Sequence, residues 1–272
     1  VKNVLQWPKY AVLLLIAVVH IIPFYILINM SFKLPTETSS KWRFPVDASW
    51  DNFVNAWQEA NLLRAIFNNV FITVSAVALV VIVGALASYP LARHQTRFNM
   101  FIYTVSVSCL IVPALTILVP LYKFIVDLGG INTYWAAILT QVTFALPMTI
   151  FLYTGFINTV PRELDEAGLI DGSSRMGIFF RIILPLLKPI TATVIIIMGV
   201  QIWNDYQFSI FFLQKVQVQT IPVALSQFIS QFSNQLNWVA AGCLIGMMPM
   251  AIVYLCLQKY FIKGMADGAV KG

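Results

Sequence analysis

"PRELDEAGLIDGSSRMGIFFRIILPLLKP", residues 161–189, carries eight charged side chains around a central glycine. The rest of the chain is of another kind. Of its 272 residues 59% are hydrophobic and 10% charged, against roughly 25% charged in an average soluble domain. The apolar residues gather into blocks of membrane-spanning length, which a soluble core does not require. The quoted stretch is therefore a connection between membrane helices, and its meaning depends on where those helices lie.

Six blocks qualify: Tyr10–Ser31, Ile66–Tyr89, Phe98–Tyr122, Tyr134–Ile157, Ile190–Phe212 and Trp238–Gln258. At 1.5 Å per residue each crosses a hydrocarbon layer of roughly 30 Å with modest tilt. The runs are continuous, whereas barrel strands would alternate with polar lumen residues, so the expected fold is an all-α polytopic membrane protein. The first block exceeds the ~7–15 apolar residues of a signal peptide, and no small-x-small cleavage site follows it, so it is read as a retained helix. Numbering from Val1 suggests that an initiator methionine or a short leader is missing.

Six spans place both termini on one side, and charge selects that side. The ends and the two loops on their face hold Lys2, Lys9, Arg93, Arg97, Arg162, Arg175, Arg181, Lys188, Lys259, Lys263 and Lys271. The other face holds Lys33, Lys41, Arg43, Arg64, Lys123 and Lys215. By the positive-inside rule both termini and residues 158–189 are cytoplasmic. This bias accounts for most of the +6 net charge, so no nucleic-acid partner is needed.

Residues 32–65, 123–133 and 213–237 then face outward. Within the first, the helical spacing of Phe53, Trp57, Leu62 and Leu63 is expected to lay these side chains on the membrane surface or to offer them to a protein partner. "DLGGIN" lacks the lysine and spacing of a phosphate loop and reads as an outer turn. Pro23, Pro113, Pro120, Pro147 and Pro249 lie in or near the spans, where each frees a carbonyl and bends the axis. Cys109, Cys243 and Cys256 are far apart in apolar blocks and read as buried thiols. His20 and His94 are isolated, and no metal site follows.

Residues 158–189 read as helix, break, helix. Thr159 is expected to cap the first helix and Pro161 to occupy its first turn, with Glu163, Asp165 and Glu166 at its positive end. Gly172 is the hinge, and Ser173 or Ser174 caps the second helix. There Met176, Phe179, Phe180 and Ile183 recur at helical spacing as one apolar face, and Pro185 ends the pattern. A plain connector would be shorter. A braced amphipathic hairpin either packs at the interface or hands motion from a soluble partner to the bundle.

The spacing "EAG", three residues, Gly172, nine residues, "IILP" resembles the EAA loop of permease subunits in binding-protein-dependent ABC importers. Glu166, Ala167, Gly172, Ile182, Leu184 and Pro185 match that pattern, with Gly168 in place of its second alanine, a change expected to add backbone freedom. "WND" at 203–205 resembles an element of the fifth helix in carbohydrate permeases, and the tail "QKYFIKGMADGAVKG" is similar to that of the smaller maltose-type subunit. The absence of a large inserted outer domain fits that type.

The resemblance covers nearly the whole chain, and the domain it implies is assigned to residues 1–272. It implies an ABC importer transmembrane domain that pairs with a second related permease, two ATPase subunits and an extracytoplasmic solute-binding protein in a bacterial or archaeal cytoplasmic membrane. It implies a sugar, oligosaccharide or related solute, and ATP and magnesium bound by the ATPases rather than by this chain. The implied coupling residues are Glu163, Glu166, Ala167, Gly168, Gly172, Met176, Phe179, Ile182, Leu184 and Pro185, with Glu166 against basic ATPase residues and Gly172 at the turn.

The chain itself has no GxxxxGK[ST] phosphate loop and no nucleophile–base set, so it is expected to be a non-catalytic subunit. A secondary transporter driven by an ion gradient is the alternative; it would carry an internal repeat, and none is evident. Asp205 is the one acid inside the six blocks, and a lipid-facing carboxylate costs at least ~2.5 kcal/mol. It is therefore expected to face the bundle interior, a partner permease or a cavity. With Trp203, Asn204 and Gln207 it belongs either to a structural interface or to the solute path.

Overall fold

The computed structural model describes residues 7–37, 39–230 and 235–269. They are helical, with no strand among them. Lys2 and Lys271, used for the charge count, lie outside the described residues. The elements are α1 (Trp7–Phe32), α2 (Asp51–Glu59), α3 (Leu62–Arg93), α4 (Arg97–Ser108), α5 (Leu118–Asp127), α6 (Tyr134–Thr159), α7 (Glu163–Ile170), α8 (Arg175–Ile178), α9 (Leu184–Leu186), α10 (Lys188–Trp203), α11 (Ser209–Phe212), α12 (Ile221–Ser230) and α13 (Leu236–Ala269).

Four helices are long and apolar enough to cross a membrane: α1, α3, α6 and the Leu236–Gln258 part of α13. Two further apolar stretches are bent pairs, Arg97–Ile111 with Ala114–Asp127 at 95° and Arg175–Leu186 with Lys188–Trp203 at 72°. The chain is thus a multi-pass membrane protein. The block expected as one helix over Phe98–Tyr122 is corrected: α4 tightens into a 3₁₀ turn at Cys109–Ile111, and Val112 and Pro113 are extended. Proline has no N–H to continue the ladder and disfavours helix in the residue before it, so the chain turns there. The block expected over Ile190–Phe212 also divides, since α10 ends at Trp203 and α11 starts at Ser209.

The chain forms two compact units. One comprises residues 1–66 and 221–248, the other 67–220 and 249–272. In the first, the segment after α1 folds back over the end of that helix. Asn29 Nδ2 donates to the carbonyls of Lys41 (2.7 Å) and Arg43 (2.6 Å), and Asn52 Nδ2 donates to those of Ser31 (2.9 Å) and Lys33 (2.7 Å). The buried Lys33 ammonium donates to Ser39 Oγ and Ser40 O and lies 3.5 Å from Glu37. The Ser39 hydroxyl donates to Glu37, which with Lys33 holds that carboxyl below its ordinary range.

The amphipathic face expected over Phe53, Trp57, Leu62 and Leu63 does not exist as one surface. Asn61 adopts φ +48° between α2 and α3 and re-aims the chain. Leu62 is fully buried, Leu63 and Trp57 are exposed, and Phe53 packs on Phe32 and Trp50.

In the second unit α6 is the central helix, with Tyr153 and Ile157 fully enclosed and α3 and α10 contributing Ala76, Val80, Val194 and Met198 to the same core. Gly84 of α3 meets Thr149 of α6 so closely that a Cβ would overlap the threonine methyl. Absence of a side chain sets the separation of these helices. The "DLGGIN" turn has Gly129 at φ +68° and Asn132 at φ +62°, as expected of a tight outer turn. Cys109 and Cys256 are exposed on the chain's apolar surface and Cys243 is half-buried, which corrects the reading of three buried thiols. Apolar spans need not bury their residues in protein when lipid or a partner covers them.

Candidate functional site: a helical hairpin and a cavity between helices

The hairpin is built by two backbone devices. α7 ends in a Schellman motif: Ser173 N–H donates to Gly168 O at 2.9 Å and Gly172 N–H to Leu169 O at 3.0 Å, with Gly172 at φ +78°. That motif places its glycine in the left-handed region, where a Cβ is costly. Ser174, rather than Ser173, caps the next helix, its Oγ accepting from Gly177 N at 3.2 Å. Thr159 does not cap α7. It belongs to the last turn of α6, its hydroxyl donating to Phe156 O, and α7 begins at Glu163 without a side-chain cap.

Gly172→Ala will cost about 1–2 kcal/mol of hairpin stability, and Gly172→Val more, because the branched side chain adds strain at the same φ. Amide exchange over 163–178 in the purified complex checks this. Equal protection in both variants would remove the argument.

The two legs touch through Gly168. It is buried, and a Cβ there would lie 2.8 Å from Ile178 Cγ1 and 3.1 Å from Ile182 Cδ1. The glycine is thus required by close packing, not by backbone freedom, a correction to its reading from sequence. The apolar face expected along the second leg splits. Phe179 and Ile183 are buried, whereas Met176 and Phe180 are half exposed. Pro185 does not end the helix either: the turn Phe179–Ile183 widens to π geometry and continues into α9. A wider turn relieves the missing N–H and the ring clash that proline imposes on the preceding turn.

Of the residues implied for coupling, Glu163, Glu166, Ala167 and Met176 lie exposed on the hairpin, joined by Ile170 and Phe180. Phe179, Gly168 and the half-buried Ile182 and Leu184 support it from beneath, and Pro185 is exposed near its far end.

Sequence reading missed what holds the hairpin. Arg93, the last residue of α3, places Nη2 2.9 Å from Asp165 Oδ2 and donates from Nη1 to Val160 O at 3.0 Å. Tyr89, one turn earlier, donates to Asp165 Oδ1 at 2.7 Å, and its ring lies 5.3 Å from that of Phe179. Arg175 meets His94 at 3.2 Å. At the other end of α3, Asn69 Nδ2 donates to Trp203 O at 3.0 Å. Its neighbour Asn68 donates to Gln217 O and Gln219 O and accepts from the Tyr134 hydroxyl at 2.8 Å. The one available signal was two adjacent amides in the apolar run "AIFNNVFI".

The second feature is a cavity of about 970 Å³ walled by the 109–128 segment, α6 and residues 201–208. Gln141, Gln201, Asn204, Asp205 and Gln207 give it a polar side, and Trp135, Phe144 and Phe208 an aromatic one. The expected quartet is brought together only in part. Trp203 is buried and lines a separate apolar groove with Val77 and Met250. Asp205 lies beyond the end of α10, not within a helix. Its Oδ2 accepts from Ser209 N (3.0 Å) and Ser209 Oγ (2.7 Å), and its Oδ1 from Phe208 N (3.4 Å).

Residues 80–267 match the family model described as binding-protein-dependent transport system inner membrane component. The chain is 49% identical over 259 residues to the melibiose/raffinose/stachyose import permease protein MelC of Bacillus subtilis (strain 168), covering 95% of this chain and 94% of that one. It is 32% identical to the multiple sugar-binding transport system permease protein MsmG of Streptococcus mutans serotype c, covering 97% and 96% of the two chains. Among solved structures it superposes with TM-score 0.80 on a chain of a bacterial ABC transporter involved in import of the acidic polysaccharide alginate. At 19% identity, over 96% and 97% of the two chains, this shows a shared fold. On this evidence the chain belongs to the binding-protein-dependent transport system inner membrane component family and is a permease subunit of an importer, a transport component rather than an enzyme.

Proposed function

We propose that the chain forms half of the pathway for an oligosaccharide of the melibiose, raffinose or stachyose kind. Each bent helix pair counts as one span in this reading, giving six, with both termini cytoplasmic in the inner membrane. A second permease completes the pathway, a solute-binding protein delivers the sugar, and two ATPase subunits that bind ATP and magnesium dock on the hairpin at 158–189. Its exposed Glu166, Ala167, Met176 and Phe180 form the docking face.

The observation that carries the solute assignment is the cavity. Four amide side chains and a carboxylate beside aromatic rings are costly against lipid and belong against water, a partner or a polar solute. A sugar suits such a wall, since its hydroxyls exchange hydrogen bonds with planar amides while its C–H face rests on rings. The near full-length 49% identity to MelC supports the melibiose, raffinose and stachyose class in that relative's name.

The test is uptake by liposomes holding both permeases and the ATPases, with binding protein and labelled melibiose, raffinose and maltose outside. Uptake is expected to require ATP and to persist when ion gradients are collapsed; gradient-driven uptake without ATP would overturn the reading. Replacing Gln201 or Asn204 by leucine will raise the apparent KM for solute by about 2- to 10-fold each, the value of one hydrogen bond, with complex yield unchanged. Unaltered KM in both variants would exclude the cavity from the path.

A further inference from the structure

The hairpin joins its flanking helices at two bends in the chain. Val160, between α6 and α7, is extended at φ −78° and ψ 128°, and the chain bends by 72° where α9 gives way to α10. Between these bends the hairpin is gripped from the side by α3. Both oxygens of Asp165 are taken, one by Tyr89 and one by Arg93, and Arg93 also holds the Val160 carbonyl. The Arg93 and Asp165 side chains are 6% and 15% exposed, so the pair is screened little by solvent and resists separation.

α3 runs as one helix of 32 residues with Pro90 in its last turn, so Asn69 and Arg93 lie on a single helical axis. Its far end is again bonded. Asn69 donates to the carbonyl of Trp203, the residue directly before Asn204 and Asp205 in the cavity wall, and Asn68 holds the backbone at 217 and 219. One helix therefore links the hairpin to the end of α10 through short polar contacts at each extremity.

We propose that α3 is the rod that carries hairpin motion to the cavity, with Asp165 as the positioning residue at its cytoplasmic end and Asn69 as its counterpart at the other. This rests on the hairpin being the ATPase docking site and adds the route by which docking reaches the solute. Glu166, one residue on from Asp165 and about 100° around α7, is exposed. Docking and transmission are thus assigned to neighbouring residues on different faces of one short helix.

The experiment uses the complete importer in liposomes and reads two quantities: ATPase retained per permease, and solute moved per ATP hydrolysed. Asp165→Asn keeps size and removes the charge. It is expected to retain the ATPases while solute per ATP falls about ten-fold, within the usual range of coupling between sites. Asn69→Ala, about 36 Å away along the helix, is expected to show the same loss of ratio with ATPase retention intact. Arg93→Gln is expected to lower the ratio as Asp165→Asn does, because each leaves the other member of the pair without its charged partner.

An unchanged ratio in Asp165→Asn overturns the proposal. So does a loss of transport that merely follows loss of assembled complex, with the ratio normal in what remains, since that is the signature of a folding role. Failure of the docking assignment is separately visible, because the hairpin surface variants Glu166→Ala and Phe180→Ala would then keep their ATPases.

Discussion

Glu166→Ala will leave the permease inserted and paired but will weaken its hold on the ATPase subunits by about 10- to 150-fold, the equivalent of roughly 1.5–3 kcal/mol for a hydrogen bond to a charged group. Solute-stimulated ATP hydrolysis and uptake will fall with it at fixed subunit concentration. Glu166 stands exposed in the first turn of α7, where the helix dipole favours a carboxylate. Its neighbour Asp165 is consumed by Arg93 and Tyr89, whereas Glu166 has no side-chain partner described within the chain, so its charge is available to a basic group outside it. Around it Ile170, Met176 and Phe180 are 86%, 56% and 51% exposed, apolar area that a docked partner would remove from water. The measurement is the dissociation constant of ATPase from detergent-solubilised permease pairs, with Phe180→Ala as a companion that deletes apolar contact without changing charge. Unchanged affinity in Glu166→Ala would remove this carboxylate from the docking face.

What was legible in the sequence was whatever local chemistry decides. Long apolar runs located α1, α3, α6 and the apolar Leu236–Gln258 part of α13 to within a few residues, and the order helix, Gly172, serine cap, helix emerged from turn chemistry alone. Asn61 and Pro113 were harder. Each breaks an apparently continuous pattern by one residue's backbone preference, and hydrophobic periodicity does not respond to a single dihedral angle. The widened turn at Phe179–Ile183 escaped for a similar reason, since its residues keep helical spacing nearly in step. Gly168 was assigned to backbone freedom because the isoleucines it admits, Ile178 and Ile182, sit on the opposite leg. The contact of Asp165 with Arg93 spans the whole of α4 to α6 in sequence. Each partner had a sufficient local explanation, a helix N-terminus for one and the positive-inside bias for the other.

Asp205 shows the same limit from the other direction, because its sequence context raised two roles and the geometry separates them. Its side chain belongs to the cavity wall, yet both oxygens are already engaged by Phe208 N, Ser209 N and Ser209 Oγ. The amides at the start of a helix have no partners within it, and α11, with four residues, is too short to be stable alone. It carries Phe212 into the core, and Phe208 just before it stacks on Phe144 at 4.7 Å. Asp205→Ala is therefore expected to lower the stability of the assembled permease by about 2 kcal/mol through loss of these bonds. Asp205→Asn keeps one acceptor oxygen and will lose about half as much. Neither variant will alter the ratio of melibiose to raffinose uptake, because the carboxylate oxygens are engaged by Ser209, the Phe208 amide and Gln141, whereas Gln201 and Asn204 variants will change KM at normal stability. Thermal unfolding of the purified complex, read beside uptake of both sugars, distinguishes the cases. An Asp205→Asn complex of full stability and coupling but shifted solute preference would show that the carboxylate serves the sugar and that the backbone bonds are incidental.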